Sequence, residues 1–241
     1  MEPEKELRIL ELRAKNLTPK QIARSLQIKV SDVANFLKNH AEKTAQEAIQ
    51  SGDIYPIKEC LIDPCTGYDL LKIGSPLELN NYCRGLSNVM ITREKGRNKY
   101  VVASVLVDYW CMGIKDALGP QIIEDEEEYE YFRKMAYSRY GERYRSISLE
   151  QAQSVIWGAV EYAKAMGFTP YRDFEAVIPH IGKLDNLLNL EFGHNGKPTY
   201  VRGPFDSVEV VLENLKERVG EGNFEEIIPR FNFPLHVKLI P

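Results

Sequence analysis

The amino-acid sequence predicts an α+β protein: an N-terminal unit of three short helices, then a mixed α/β body with two β-hairpins packed by helices. Three observations predict it. Residues 4–37 carry apolar side chains at spacings of three and four, divided by helix-start signals. Asn88–Arg93 and Tyr100–Asp108 are Val/Ile-rich runs on either side of Glu94–Asn98, which contains Gly96; this is a hairpin pattern. Ser148 begins, and Gly167 ends, a long amphipathic helical run. The predicted divisions are 1–50, a connecting region 51–85 with short strands, and an α+β body over 86–241.

The elements follow in order. Leu7, Leu10 and Ala14 set the apolar face of a helix over residues 4–15. Thr18-Pro19 starts a second, because Thr caps and Pro loses nothing by lacking an N–H in the first turn. Ile22, Ala23 and Leu26 form its inner face. Ser31 offers an N-cap for a third helix with Val33, Phe36 and Leu37 inward, running on to about Gln50 before Ser51-Gly52. Pro56–Ile62 is a candidate strand within the connecting region. The second hairpin strand, Tyr100–Asp108, is nearly all apolar and is predicted to be central. A helix is predicted over Tyr109–Leu118, ended by Gly119-Pro120, and another over residues 125–140 after the acidic start Glu124–Glu130. The Ser148–Met166 helix turns Ala152, Val155, Ile156, Ala159, Val160 and Ala163 inward. A short helix covers Asp173–Ile181, closed by Gly182. Asn195-Gly196 predicts the turn of a second hairpin within Glu191–Val201. Asp206 or Ser207 caps a helix to Val219, and Asn223–Ile228 is a last strand.

Composition sets limits. A chain of 241 residues, 44% hydrophobic and 27% charged, can bury a core without a metal or disulfide. No apolar run reaches the roughly 18 residues that span a bilayer, so no membrane partner is expected. Met1–Glu6 is too acidic for a secretory leader, a cytoplasmic location is the default, and Cys60, Cys65, Cys83 and Cys111 are expected to be reduced. The net charge is −4, with nine Lys/Arg against seven Asp/Glu in residues 1–48, so the first part carries +2 and the rest −6. That split suits an N-terminal module facing phosphate.

The run Leu17–Leu37 (LTPKQIARSLQIKVSDVANFL) resembles the helix-turn-helix family. A small residue, Ala23, stands where two helices would cross closely; Ile28 plugs the turn, and Val33 and Leu37 return to the core of Ile22 and Leu26. The resemblance implies a recognition helix from Ser31 to about Asn39. Lys29, Ser31, Asp32, Asn35, Lys38 and Asn39 then face outward. Asn35 suits adenine in a major groove and the lysines suit phosphate. Thr18, Lys20 and Arg24 would touch the backbone from the preceding helix. The plainer reading is a trihelical packing module without nucleic acid.

Two stretches of the body, Leu106–Ala117 (LVDYWCMGIKDA) and Glu191–Pro198 (EFGHNGKP) followed by Gly203-Pro204-Phe205-Asp206, resemble a bacterial family of undetermined activity in which a mixed domain follows a helix-turn-helix. The resemblance implies a shared fold and no activity.

The body offers sharper hypotheses, each beside a plainer one. Asp108, with Lys115, Asp116 and a guessed third partner Glu161, suits Mg²⁺ chemistry; otherwise Asp108 caps the next helix while Lys115 and Asp116 are solvated. Cys111 and His194 could be nucleophile and base, or a buried thiol and a loop histidine. Cys60, Cys65 and Cys83 could ligate zinc but lack an obvious fourth ligand. Gly193–Lys197 lacks phosphate-loop spacing. Tyr129, Tyr131, Tyr137, Tyr140 and Tyr144, interleaved with Arg133, Arg139, Arg143 and Arg145, could stack bases or simply pack. The expected function is therefore DNA binding, extending to transcriptional regulation, with a body for dimerisation or partner contact. RNA or ribosome association and a metal-dependent nuclease or hydrolase at Asp108 are the alternatives. No cofactor is expected, and binding is favoured over catalysis.

Overall fold

The structure is a computed structural model that describes residues 3–14, 17–37, 55–75, 84–182 and 187–229. The predicted run to Gln50, Lys38, Asn39, Cys83 and the tail from residue 230 lie outside the described residues. Contacts divide the chain into two compact units, Met1–Ile54 and Tyr55–Pro241.

The first unit contains α1 (Pro3–Ala14), α2 (Pro19–Leu26) and α3, which begins at residue 30 and is described to residue 37. Thr18 is extended (φ −71°, ψ 156°); its hydroxyl accepts from the Gln21 amide while the Gln21 side chain accepts from the Thr18 amide, a capping box ahead of Pro19. Gln27 takes the left-handed conformation (φ 53°) and turns the chain so that the Ile28 amide reaches the Ala23 carbonyl at 3.1 Å. Ile9, Leu12, Ile22, Ala23 and Val33 are buried together, with Leu26, Ile28, Phe36 and Leu37 against them. Two expectations change. Leu7 is 64% exposed, and Ile9 and Leu12 supply the inner face of α1 instead; both pairs satisfy a three-residue spacing, so spacing leaves the helix phase open. Ser31 is not the cap: α3 starts one residue earlier, on a Lys29 carbonyl that accepts from the amides of Asp32 and Val33.

In the second unit, β1 (Ile57–Ile62), β2 (Leu86–Gly96), β3 (Lys99–Asp108), β4 (Gly113–Ile123) and β5 (Arg145–Ile147) form one antiparallel sheet in the order β4-β3-β2-β1-β5. β1 is thus an interior strand, and α4 (Pro64–Asp69) follows it, so much of the predicted connecting region is sheet and core. The first hairpin is longer than predicted. Gly96 pairs with Lys99, leaving Arg97 and Asn98 as the turn, with Asn98 at φ 54°.

Side chains alternate across this sheet with period two. On one face Ile62, Val89, Ile91, Val105 and Val107 pack on α6 (Leu149–Ala165) and α7 (Phe174–Ile181), through Val155, Ile156, Ala159, Phe174 and Val177. On the other, Leu61, Met90, Tyr100 and Val102 meet Tyr129, from α5 (Glu126–Ala136), and Tyr137 and Tyr140 beyond it. Tyr129 and Tyr137 are wholly buried. Tyr129, Tyr137 and Tyr140 of the tyrosine run are therefore core, while Tyr131 is 66% exposed. Arg133 of that run pairs with Glu59 and Glu130.

The predicted helix over Tyr109–Leu118 is instead a turn followed by β4. Its register against β3 shifts twice, between Val102 and Ser104 and between Leu106 and Val107. The second of these puts buried Ile114 and Ala117 three residues apart on one face, which imitates helical spacing. Gly119 (φ +98°) passes so close to β3 that a Cβ there would lie 2.5 Å from the Val102 carbonyl oxygen.

The second predicted hairpin does not form. Asn195 (φ 53°) and Gly196 (φ 73°) make the tight turn, but it carries only a His194–Lys197 bridge. The arms spend their donors elsewhere: the Gly193 amide on the Tyr109 carbonyl at 2.9 Å, and the Thr199 amide on the Trp110 carbonyl at 3.1 Å. β6 (Thr199–Val201) then pairs in parallel with β7 (Glu225–Ile227), across α8 (Val208–Arg218). Among the described residues no helix is long and apolar enough to cross a membrane.

His180 on α7 is wholly buried; its Nε2 lies 3.0 Å from the Ile91 carbonyl oxygen, and its Nδ1 has no hydrogen-bond partner among the described residues. Burial lowers its pKa to about 4, against the pull of the Ile91 carbonyl. The unfolded chain binds this proton near pH 6.5 and the folded chain does not, so stability is present above that pH and is lost as pH falls toward 4. Between about pH 7.5 and 4.5 the loss from this group is about 2.5 kcal/mol. His180→Gln is expected to remove that component, read as urea midpoints of both proteins at the two pH values.

Candidate functional site

The first site residues to place are those of the helical unit. Lys20 and Arg24 on α2, and Lys29, Ser31, Asp32 and Asn35 at and along α3, are all exposed. Among the described residues no carboxylate lies within ion-pair distance of Lys20, Arg24 or Lys29. Thr18 is committed to the capping box, so its hydroxyl starts α2. Ser31 donates to Asp32 Oδ1 at 3.3 Å.

The second site is in the body, where the two quoted stretches meet. β3 ends at Asp108, and the chain turns through Tyr109–Met112 into β4. Asp108 is buried, and its Oδ1 accepts from the amides of Trp110 (3.1 Å) and Cys111 (3.0 Å). It caps a turn rather than a helix. Burial pushes its carboxyl up to about 6, against the Lys115 charge and the amides of Cys111, Met112 and Trp110.

Lys115 is not solvated. Its Nζ lies 2.8 and 2.9 Å from the two carboxylate oxygens of Asp206, 91 residues away. These side chains are only 19% and 9% exposed, so the pair is held largely out of water. Asp206 also accepts from the Gly203 amide (2.8 Å) and the Tyr200 hydroxyl (3.2 Å). Burial raises the Asp206 pKa, but the Lys115 hydrogen bond and charge, with the Gly203 amide, outweigh it and hold the carboxyl below its ordinary value. Gly203 is required here, since a Cβ would lie 2.8 Å from Asp206 Oδ2. Asp206 therefore closes its own turn and serves Lys115, and the N-cap position of α8 falls to Ser207, which makes no side-chain cap bond.

A cleft of about 870 Å³ opens beside this pair. Leu106, Ile114, Phe168, Tyr171, Pro204 and Phe205 supply most of its wall. Asp108, Lys115 and Asp206 line its buried part, and exposed Asp116 and Arg139 belong to its rim. A second cavity of about 520 Å³ lies on the Tyr109–Trp110 side of the turn. There the Tyr109 hydroxyl donates to Asp69 (2.7 Å), and the His194 ring lies tilted against Trp110 with centroids 4.5 Å apart.

Other expected groupings do not assemble. Cys111 is wholly buried, with its thiol pKa pushed well up by burial and by Asp108, while His194 is engaged with Trp110. Glu161 is exposed on α6 and pairs with Lys164 at 3.8 Å. Asp116 Oδ1 accepts from the Ala117 amide. Cys60 is a buried free thiol pushed up to about 12 by burial, while Cys65 is disulfide-bonded and so not the reduced thiol expected. Among the described residues no three His, Cys, Asp or Glu side chains are grouped to hold a metal ion.

Sequence reading missed Asp206 as the partner of Lys115, and Gly85. Gly85 (φ +73°) passes under Trp110, where a Cβ would lie 2.4 Å from the indole, and its carbonyl accepts from the Tyr109 amide at 2.9 Å. Gly203-Pro204-Phe205-Asp206 was visible as a motif, but nothing in it names Lys115. The chain matches no family model, no curated protein and no solved structure.

Two outcomes follow. Lys115→Met strands a largely buried carboxylate and should cost about 2–3 kcal/mol; adding Asp206→Asn should recover at least half, as read by urea denaturation. Asp108 gives the opposite pH dependence to His180. Its folded pKa is raised, so its stabilisation is complete below the ordinary carboxyl range and is lost as pH rises through about 6. Asp108→Asn keeps the acceptor oxygen but not the charge. Relative to this variant, the native protein should lose about 2 kcal/mol between roughly pH 4.5 and 7.5.

Proposed function

We propose that the chain is a DNA-binding protein whose N-terminal unit places α3 in the major groove. The supporting observation is that the three helices bury Ile9, Leu12, Ile22, Ala23 and Val33 among themselves and leave Lys29, Ser31 and Asn35 exposed on one helix, and Lys20 and Arg24 on the one before it. On this reading Asn35 reads a base edge, an amide being able to donate to and accept from adenine at once. Lys20, Arg24 and Lys29 meet phosphate. Asp32 opposes phosphate at close range and sets the register by exclusion. One unit of this size binds weakly, so a regulatory role calls for two copies about one turn of DNA apart, with the body as the dimerisation or partner-binding part. RNA association through the tyrosine run is the less supported alternative, because Tyr129, Tyr137 and Tyr140 are in the core and Tyr131 is the exposed ring of the run.

The test is fluorescence anisotropy of the full chain with a pool of duplex DNA at about 50 and 200 mM salt. Lys20→Glu with Lys29→Glu should weaken binding at least about tenfold and flatten the salt dependence by about two phosphate contacts. Asn35→Ala should lower selectivity among sequences with little change in salt slope. Unchanged affinity and slope in the double variant would overturn the reading.

A further inference from the structure

We propose that the cleft beside the Lys115–Asp206 pair binds a small organic anion with an apolar body, its charged group facing Arg84 and Arg139. This is independent of the DNA-binding reading.

The argument begins with charge. Four cations and three carboxylates line the cleft. Lys115 is neutralised by Asp206 and Arg202 by Glu226, so neither is available to a ligand. Arg84 and Arg139 remain. Among the described residues neither guanidinium has a carboxylate within ion-pair distance. Asp116 shares the cleft with them but spends one oxygen on the Ala117 amide. The carboxylates left in the lining, Asp108 and Asp116, are spent on backbone amides of the β3–β4 turn and of Ala117, and neither lies within ion-pair distance of Arg84 or Arg139 among the described residues. A planar guanidinium binds a carboxylate, sulfonate or phosphate through paired N–H donors.

The wall decides the rest of the ligand. Leu106, Ile114 and Phe168 give hydrocarbon where a purely ionic ligand would need water, and Phe205, 98% exposed, offers a bare ring at the opening. A volume of about 870 Å³ accommodates a molecule of drug size rather than an inorganic ion. The second cavity does not share this chemistry, for Asp69 and Glu191 line it beside Lys72.

The test uses two probes with the same aromatic body: 1-anilinonaphthalene-8-sulfonate, which is anionic, and N-phenyl-1-naphthylamine, which is uncharged. Fluorescence titration of the full chain should show one saturable site per chain for the anion. Arg84→Gln with Arg139→Gln should weaken the anion at least about tenfold and the uncharged probe by no more than about twofold. Thr169→Trp, at an exposed position lining the cleft, should block both probes. Circular dichroism melting of each variant confirms that it is folded. The proposal is overturned if the double arginine variant binds the anion unchanged, if Thr169→Trp leaves both probes bound, if the native protein takes up the uncharged probe as tightly as the anion, or if it binds neither.

Discussion

The turn between β3 and β4 organises the body, because four residues of exposed polar backbone are placed where little water reaches. Buried amides must be paired. Asp108 pairs those of Trp110 and Cys111, and the Gly85 carbonyl takes that of Tyr109. The carbonyls of Tyr109 and Trp110 are then left to accept, and they draw in the amides of Gly193 and Thr199. One carboxylate thus fixes the turn, and the turn fixes the approach of a segment some eighty residues later in the chain. The β6–α8–β7 layer hangs from that approach, and so does the delivery of Asp206 to Lys115. The two cavities are the spaces left on the two sides of this turn.

Two buried ionisable groups, Asp108 and His180, bear on the response to mild acid with opposite signs. Asp108 is destabilising when ionised, and His180 is destabilising when the unfolded chain can take a proton that it cannot. Their contributions run in opposite directions over the same pH range and are of similar size. One group is held by backbone amides and the other by a single carbonyl with its second nitrogen bare, so the balance comes from two unrelated places in the core.

Local rules made much of this legible. The Thr18-Pro19 and Ser148 starts are chemical signals that act within three residues, and both are capping boxes in the structure. The β2–β3 hairpin was legible because both strands carry Val and Ile in unbroken runs. β4 was not, since its pairing slips twice and its sequence no longer alternates. The Asn195-Gly196 turn was legible but its strands were not, because hairpin formation depends on where the neighbouring amides go, and these go to Tyr109 and Trp110. The tyrosine run looked like a surface because arginines interleave it; Arg133 shows how that happens, its guanidinium lying over the Tyr144 ring 5.0 Å from the centroid and paired with Glu59 and Glu130. Lys115 and Asp206 were both in quoted motifs, yet a pairing across 91 residues leaves no local trace.

Unpaired cations carry weight in this protein only by their setting. The chain has 35 acidic residues against 31 basic ones, so partners are not scarce. Where the body withdraws a cation from water it gives it acceptors: Arg133 and Lys115 find carboxylates, and Arg93 finds the carbonyls of His180 and Tyr55. A lone cation on open surface costs nothing, because water solvates it, and so means nothing. Arg84 and Arg139 differ in lining a recess with apolar walls, Arg84 partly buried and Arg139 at the rim, so an anion with an apolar body can meet both the charge and the wall. Lys20, Arg24 and Lys29 differ in another way: they are exposed on or beside two consecutive helices of one small unit, with Asp32 the carboxylate of those two helices. In each place the absence of an ion-pair partner among the described residues leaves the charge available to an external one, and the shape around it, a recess or a helix face, restricts what that partner can be.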